Sequence, residues 1–302
     1  MPEPESWLAG IPARFRARLA ELASGTLPPN VALMHILIEA IDPQEARRVL
    51  AAACEAFTGD AACLARLREA ADLNERHPEA FAAVKAVLAR VVHDEAPAGD
   101  VGRLATAFDS AVAAAPEASV ALYTLGSPEL LRSATMEVVE VLGSWGLLGA
   151  GKTVLEIGCG IGRFEEAFAP EVRLMVGIDV SAAMLAQARR RCAGRSNAGF
   201  LRTSGLDLAA FSDRSFDLVL AIDSFPYLVQ AGAALAARHI AEAARVLRPG
   251  GDLVILNFSY RGDAERDRAD ILGAAQGRLE LVRAGDRPFR LWDGLAFHLS
   301  KG

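Results

Sequence analysis

The sequence predicts an α/β fold, a doubly wound and mostly parallel sheet with one antiparallel edge strand, joined to an N-terminal α-helical domain. Three observations predict it. The chain to about residue 118 is rich in Ala, Leu, Arg and Glu and almost free of strand signals. After Lys152, short apolar runs alternate with helical stretches at the spacing of strand–helix–strand units. One of those runs, 153–157, passes straight into glycines at 158, 160 and 162, after which a helix begins.

The helical part is read from its start signals. In Asp42-Pro43-Gln44-Glu45, Asp42 suits the N-cap, Pro43 the first helical position, and Glu45 the place that closes a capping box. Ala46, Val49, Leu50, Ala53 and Phe57 then recur at helical spacing. Similar starts follow at Asp60, Pro78 and Asp100, and Ser127-Pro128-Glu129 opens a helix to about residue 142. In the second part, strands are expected at 153–157, 174–178, 198–202, 218–222 and 253–258, with helices after Gly162, Ser181 and Gly232. Residues 279–282 and 295–299 read as an antiparallel pair at one edge. The expected division is 1–118, a helical domain serving as lid, docking surface or homodimer contact, and 119–302, the sheet domain.

Composition excludes several classes. With 302 residues, 52% hydrophobic and 23% charged, the chain is long enough for one large or two moderate domains and is outside the disordered class. A net charge of -6 lacks the basic footprint of a nucleic-acid binder. The four cysteines form no CxxC pair, which fits a reducing compartment and gives no structural zinc site. His93-Asp94-Glu95 reads as a frayed helix end, so no metal is expected. The N-terminus has no basic n-region followed by an apolar stretch, and the most apolar run, 31–41, is interrupted by His35 and Glu39 and too short for a bilayer. A cytoplasmic location without membrane contact follows as the expectation.

The glycine loop carries the functional signal. Its spacing is G-x-G-x-G, with Glu156 two residues before the first glycine, whereas a dinucleotide fingerprint needs G-x-G-x-x-G so that a pyrophosphate meets a helix N-terminus. An acid beside the loop repels a pyrophosphate and attracts an ammonium. Asp179 ends the second strand about twenty residues on, where a carboxylate can accept hydrogen bonds from both hydroxyls of a ribose. Ser181 is placed to cap the next helix. Arg163 reads as a solvated residue of a first helical turn.

Together these residues resemble the motifs of the class I S-adenosylmethionine-dependent methyltransferases, a Rossmann-like family. Glu156-Ile-Gly158-Cys159-Gly160-Ile-Gly162 resembles its glycine motif, and Asp179, followed by Val180, its ribose-binding acid. Phe216-Asp217-Leu-Val-Leu-Ala-Ile-Asp223 and Leu247-Arg-Pro249-Gly250-Gly251 resemble its fourth strand and the turn before its fifth. The resemblance covers about residues 120–302. It implies S-adenosylmethionine as cofactor, in-line methyl transfer to a small-molecule or protein acceptor, and an adenine contact at Gly205, Leu206 and Asp207. At that last position the chain departs from the family pattern, reading Thr203-Ser204-Gly205-Leu206-Asp207 where an acid and a small residue are usual. Tyr123, before the core, is a candidate pocket cover, with core packing as the alternative.

Asp223 is expected near the transferred methyl. Asp223, Tyr227 and His239 are the candidate catalytic residues, with a pocket-wall role open for Tyr227 and a plain helix position open for His239. Two rivals remain. A nicotinamide-dependent oxidoreductase is disfavoured by the glycine spacing and by lysines only at 85, 152 and 301, none four residues after a tyrosine. A non-catalytic cofactor-binding sensor or scaffold would keep the same motifs.

Overall fold

The structure, a computed structural model, describes residues 6–91 and 100–302. The run His93-Asp94-Glu95 lies outside the described residues. The chain opens with α1 (Ala13–Ser24), α2 (Pro29–Glu39), α3 (Pro43–Ala56), α4 (Ala61–Arg76), α5 (Ala80–Leu88), α6 (Val101–Ala114), α7 (Pro116–Val120) and α8 (Pro128–Ser144). Then β1 (Thr153–Ile157), α9 (Arg163–Phe168), β2 (Leu174–Asp179), α10 (Ala182–Arg191) and β3 (Ala198–Arg202) alternate. After β4 (Phe216–Ile222) come α11 (Phe225–Ala231), α12 (Ala233–Val246), β5 (Leu247–Leu256), α13 (Ala264–Ala275), β6 (Glu280–Asp286) and β7 (Ala296–Ser300).

By compactness the chain forms two units that are discontinuous in sequence. One gathers 1–89, 114–134 and 290–293; the other gathers 90–113, 135–289 and 294–302. The division falls within α8, and α6 groups with the sheet.

In the helical unit, α2 is the central element, packed by α1, α4 and α5. Its apolar run explains why: Val31, Leu33, Ile36 and Leu37 are all fully buried, and only Glu39 at its end is exposed. At its start, buried Asn30 donates through Nδ2 to the carbonyls of Tyr123 (2.9 Å) and Leu291 (2.8 Å), tying two distant segments to one side chain. The cap at α3 forms as the sequence indicates, with the Glu45 N–H donating to Asp42 Oδ1 at 2.7 Å. Glu45 reaches back one residue further than a capping box requires, accepting from the Ile41 N–H at 2.8 Å. Among the described residues no helix is long and apolar enough to cross a membrane.

The sheet has the order β3-β2-β1-β4-β5-β7-β6. Strands β1 to β5 pair in parallel; β7 runs antiparallel between β5 and β6. The two C-terminal strands therefore do pair, but the later one inserts beside β5 and leaves the earlier one at the edge. β1 is buried along its whole length, and Asp217 fixes its neighbour by accepting from the Thr153 N–H (2.7 Å) and from Arg248 (2.6 Å). The order reverses between β1 and β4, which opens a crevice outside the carboxyl ends of those strands.

After β1, two helices were not read from the sequence. α11 is seven residues long, and α13 is so polar that its start signal, the Asp263 cap on the Arg266 N–H, lacks an apolar stripe behind it.

The Asp42 cap provides a test of the helical unit alone. Asp42→Ala removes the acceptor of an otherwise unpaired first-turn N–H and should lower stability by about 1 kcal/mol. Urea unfolding followed by circular dichroism reads this as a lower midpoint at unchanged slope.

Candidate functional site

At the end of β1 the chain turns through Gly158 (φ 77°), Gly160 (φ 54°) and Gly162 (φ 76°). The end of β2 holds this turn in place. The N–H groups of Gly158 and Cys159 both donate to the Ile178 carbonyl, at 2.8 and 3.0 Å. The Gly160 N–H donates to Asp179 Oδ2 at 2.9 Å, and the Gly162 N–H returns to the Cys159 carbonyl at 3.0 Å. Asp179 Oδ1 accepts from the Ser181 N–H at 2.8 Å, so this one carboxylate spans the glycine loop and the start of α10. Ser181 caps α10 through the Met184 N–H.

The sequence suggests glycine here as clearance for a ligand, but packing alone already requires it at two positions. A Cβ on Gly158 would lie 2.5 Å from the Ser224 Cβ, and one on Gly162 would lie 2.9 Å from the Ala188 backbone. The loop is clamped by α10 and by the start of α11.

Helix α6 contributes a residue that no motif marked. Asp109 Oδ1 accepts from Ser181 Oγ at 2.5 Å and from the Ala183 N–H at 2.9 Å, doubling the cap of α10. Burial raises the pKa of Asp179, and the nearby Asp109 charge adds to that shift against the backbone N–H donors of Ser181, Gly160 and Val180. Val101, at the start of α6, and Val180 close over Gly205. Leu206 beside it is 43% exposed, and Asp207 accepts only locally, from the Ala209 N–H at 3.1 Å.

Below the loop lie two buried acids, Glu156 on β1 (1% exposed) and Glu165 on α9 (0%). Glu156 Oε2 and both Glu165 oxygens are buried without a hydrogen-bond partner, and a proton shared between the two carboxyls would satisfy one oxygen of each. Burial raises the Glu156 pKa well above the carboxylate range, with the Glu165 charge adding to it, while burial pushes Glu165 to about 7. Gly177, level with Glu156 on β2, makes the room: a Cβ there would sit 2.3 Å from Glu165 Oε1. Arg163 is not solvated as the sequence suggests. It is 5% exposed, lies over the Phe164 ring at 4.3 Å, and its charge partly offsets the Glu156 shift. Cys159 is buried beside these acids with its pKa pushed up, first by burial and then by the Glu165 charge, so it stays a thiol.

Across the crevice, Asp223 follows β4 with φ 58°, its N–H donating to the Leu256 carbonyl at 2.8 Å. Asp223 Oδ1 accepts from Asn257 Nδ2 (2.9 Å) and from the Tyr260 hydroxyl (3.1 Å), and that hydroxyl is 3.5 Å from the Tyr227 hydroxyl. Phe108 of α6 meets Tyr227 edge to face at 4.9 Å. The structure thus brings Asp223 and Tyr227 together and adds Asn257, Tyr260 and Phe108.

His239 is placed elsewhere. It is 1% exposed on α12, its Nδ1 3.0 Å from the carbonyl of Leu235 one turn earlier, and burial lowers its pKa. Tyr123 belongs to the helical unit, where its ring stacks on Trp292 at 5.6 Å. Among the described residues no three His, Cys, Asp or Glu gather as metal ligands.

Residues 154–251, from β1 into the turn of β5, match the family described as the methyltransferase domain. Residues 154–251 are a methyltransferase domain. The chain is 32% identical over 158 residues to a demethylmenaquinone methyltransferase of Clavibacter sepedonicus, covering 52% of this chain and 59% of that one. It is 31% identical over 134 residues to a 2-methyl-6-phytyl-1,4-hydroquinone methyltransferase of Synechocystis sp., covering 43% and 40%. The chain therefore spans about half the length of these curated relatives. Among solved structures, the [4+2]-cyclase SpnF superposes with a TM-score of 0.50 at 20% identity, over 68% of this chain and 97% of that one. At that identity it is similar in fold alone.

The acid pair gives the methyltransferase domain a pH signature. Glu165 titrates near 7 when folded and near 4.5 when unfolded, so between those values the unfolded chain releases a proton that the folded one keeps. Stability from this group is therefore greatest at the acid end, falls as pH rises from about 4.5 to about 7, and is level above. Glu165→Gln keeps the shape and removes the titration. Denaturation midpoints across this window should decline less steeply in Glu165→Gln than in the wild type; parallel curves would exclude the shared proton.

Proposed function

We propose that the chain is an S-adenosylmethionine-dependent methyltransferase acting on a small-molecule acceptor by direct in-line transfer. One observation carries the reading: the loop N–H groups of Gly158, Cys159, Gly160 and Gly162 are all spent on protein acceptors. They offer no cradle to a diphosphate, and Asp179 and Asp109 beside them would repel one. The same acids suit a ligand that carries positive charge and a ribose. The names of the curated relatives, which describe methylation of quinone and hydroquinone compounds, favour a small-molecule acceptor.

In this reading Asp179 accepts from the ribose hydroxyls through lone pairs that its two backbone donors leave over. Val180, Gly205 and Leu206 border the adenine, with Asp207 placed to take its amine. Glu156 acts indirectly, by stiffening the floor of the loop. Bound S-adenosylmethionine supplies an electrophilic methyl on a positively charged sulfur. The protein's part is to hold the acceptor in line with that methyl and to exclude water, which is where most of the rate arises. Asp223 and Tyr227 border the acceptor side. His239, held within α12, is assigned no step. The free thiols of Cys54, Cys63, Cys159 and Cys192 fit work in the cytoplasm. Docking, or pairing of two copies, is the role left to the helical unit.

Calorimetry should find that S-adenosylhomocysteine and S-adenosylmethionine bind and that NAD binds more weakly; tighter NAD binding would return the chain to the nicotinamide enzymes. Asp179→Ala should weaken S-adenosylhomocysteine at least about tenfold in a folded protein, since charged hydrogen bonds contribute roughly 1.5–3 kcal/mol each. An unchanged dissociation constant would leave Asp179 with its backbone contacts alone.

A further inference from the structure

The acceptor side holds more than the methyltransferase reading uses, and the following rests on that reading. We propose that Asp223, Asn257, Tyr260 and Tyr227 form the acceptor subsite, that it takes a flat aromatic alcohol, and that Tyr260 is the residue that sets this choice.

Strain marks the place. Asp223 (φ 58°) and Asn257 (φ 68°) are both non-glycine residues in the left-handed region, and they follow neighbouring strands, β4 and β5. Each is pinned there by a backbone bond, the Asp223 N–H to Leu256 and the Asn257 N–H to Leu295 at 2.7 Å. Their side chains then meet, Asn257 Nδ2 on Asp223 Oδ1. A strand end that needed only to turn would take glycine at no strain. Two strained residues whose side chains converge indicate that the side chains are needed.

The aromatic wall comes from the same elements. Tyr260 and Tyr227 meet edge to face at 5.9 Å, and Tyr227 and Phe108 at 4.9 Å, which makes a herringbone of three rings. Tyr260 is 46% exposed, an unusual position for a ring this close to a carboxylate. Its ring extends the herringbone at an exposed position, where a flat partner can continue it.

Proton chemistry chooses between acceptor types. Burial, and after it the Asp223 charge, raises the pKa of both tyrosines, so both phenols stay protonated and act as donors. Asp223 is then the proton acceptor of the cluster. Beside a carboxylate, an amine is held as ammonium, and its lone pair is unavailable for attack. A hydroxyl responds the other way, because hydrogen bonding to the carboxylate makes its oxygen more nucleophilic. In the step so favoured, the acceptor oxygen bonds to the methyl carbon and the carbon–sulfur bond breaks. Its electron pair goes to sulfur, leaving a neutral thioether, and the hydroxyl proton passes to Asp223.

The test uses the full chain saturated with S-adenosylhomocysteine, with catechol and benzylamine as probes in calorimetry. Catechol should bind saturably and, when S-adenosylmethionine replaces the product, should accept a methyl group that benzylamine does not. Tyr260→Ala should weaken catechol about tenfold while leaving the S-adenosylhomocysteine affinity unchanged. Tyr260→Phe, which keeps the ring, should hold catechol within about threefold of the wild type. Methylation of benzylamine in preference to catechol, or unchanged catechol binding in Tyr260→Ala, overturns the proposal while leaving the methyltransferase reading in place. Failure of S-adenosylhomocysteine itself to bind removes both.

Discussion

The end of β2 governs the site. The Ile178 carbonyl takes two loop N–H groups and the Asp179 carboxylate takes a third, together with the N–H of Ser181. Turned inward in this way, the glycine loop becomes a fixed surface in which the N–H groups of Gly158, Cys159, Gly160 and Gly162 are already committed. A loop with the same glycines and free N–H groups would be an anion site. What distinguishes the two is where four hydrogen atoms point, and that follows from the spacing of the glycines and from an acid at the last position of the neighbouring strand. The clamp also explains the tight contact of Gly162 with Ala188: α10 is capped by Ser181, two residues after the acid, and is drawn against the loop that the acid holds.

Beneath this surface the protein accepts an expensive arrangement. Two carboxyl groups are fully buried with few donors around them, and they cannot both be ionised. A shared proton relieves the repulsion, the Arg163 charge offsets part of what remains, and Gly177 makes the volume available. Each of these depends on the others. A side chain at 177 would displace Glu165, and an isolated Glu156 would be left without its partner. The floor of the loop is therefore rigid because its polar groups have one workable arrangement.

The sheet and the loop were legible because strong local signals coincide there. A five-residue apolar strand, three glycines and a terminal acid fall within one stretch of about thirty residues, and β1 and β3 were read with their observed bounds. Contacts that join distant stretches were not legible. Asp109 lies 72 residues before the serine it binds, in a helix whose pattern gives it no distinction. Asn257 and Tyr260 follow a strand that was recognised, but their meaning arises from Asp223, 34 and 37 residues earlier. Arg163 misled for the opposite reason. A charged residue in a first helical turn is ordinarily solvated, and here tertiary packing encloses it. The placement of β7 between β5 and β6 is likewise a matter of pairing, which alternation along one strand does not encode.

A fold of this kind does not name its reaction. SpnF, described as a [4+2]-cyclase, shares the topology at 20% identity. The Asp179 clamp serves equally a protein that transfers a methyl and one that merely holds the cofactor, so it cannot separate an enzyme from a sensor or scaffold. The opposite side of the crevice can. Retention of the cofactor alone calls for no strained side chains there, and glycine after β4 and β5 would remove the strain. This chain instead keeps Asp223 and Asn257 in left-handed conformations, with a tyrosine hydroxyl directed at the same carboxylate oxygen. Left-handed aspartate and asparagine each cost about 1 kcal/mol, and such strain persists where a side chain has work to perform. The proton-accepting group that this strain positions is the feature that an in-line transfer to a hydroxyl would use and that simple retention of a ligand would not.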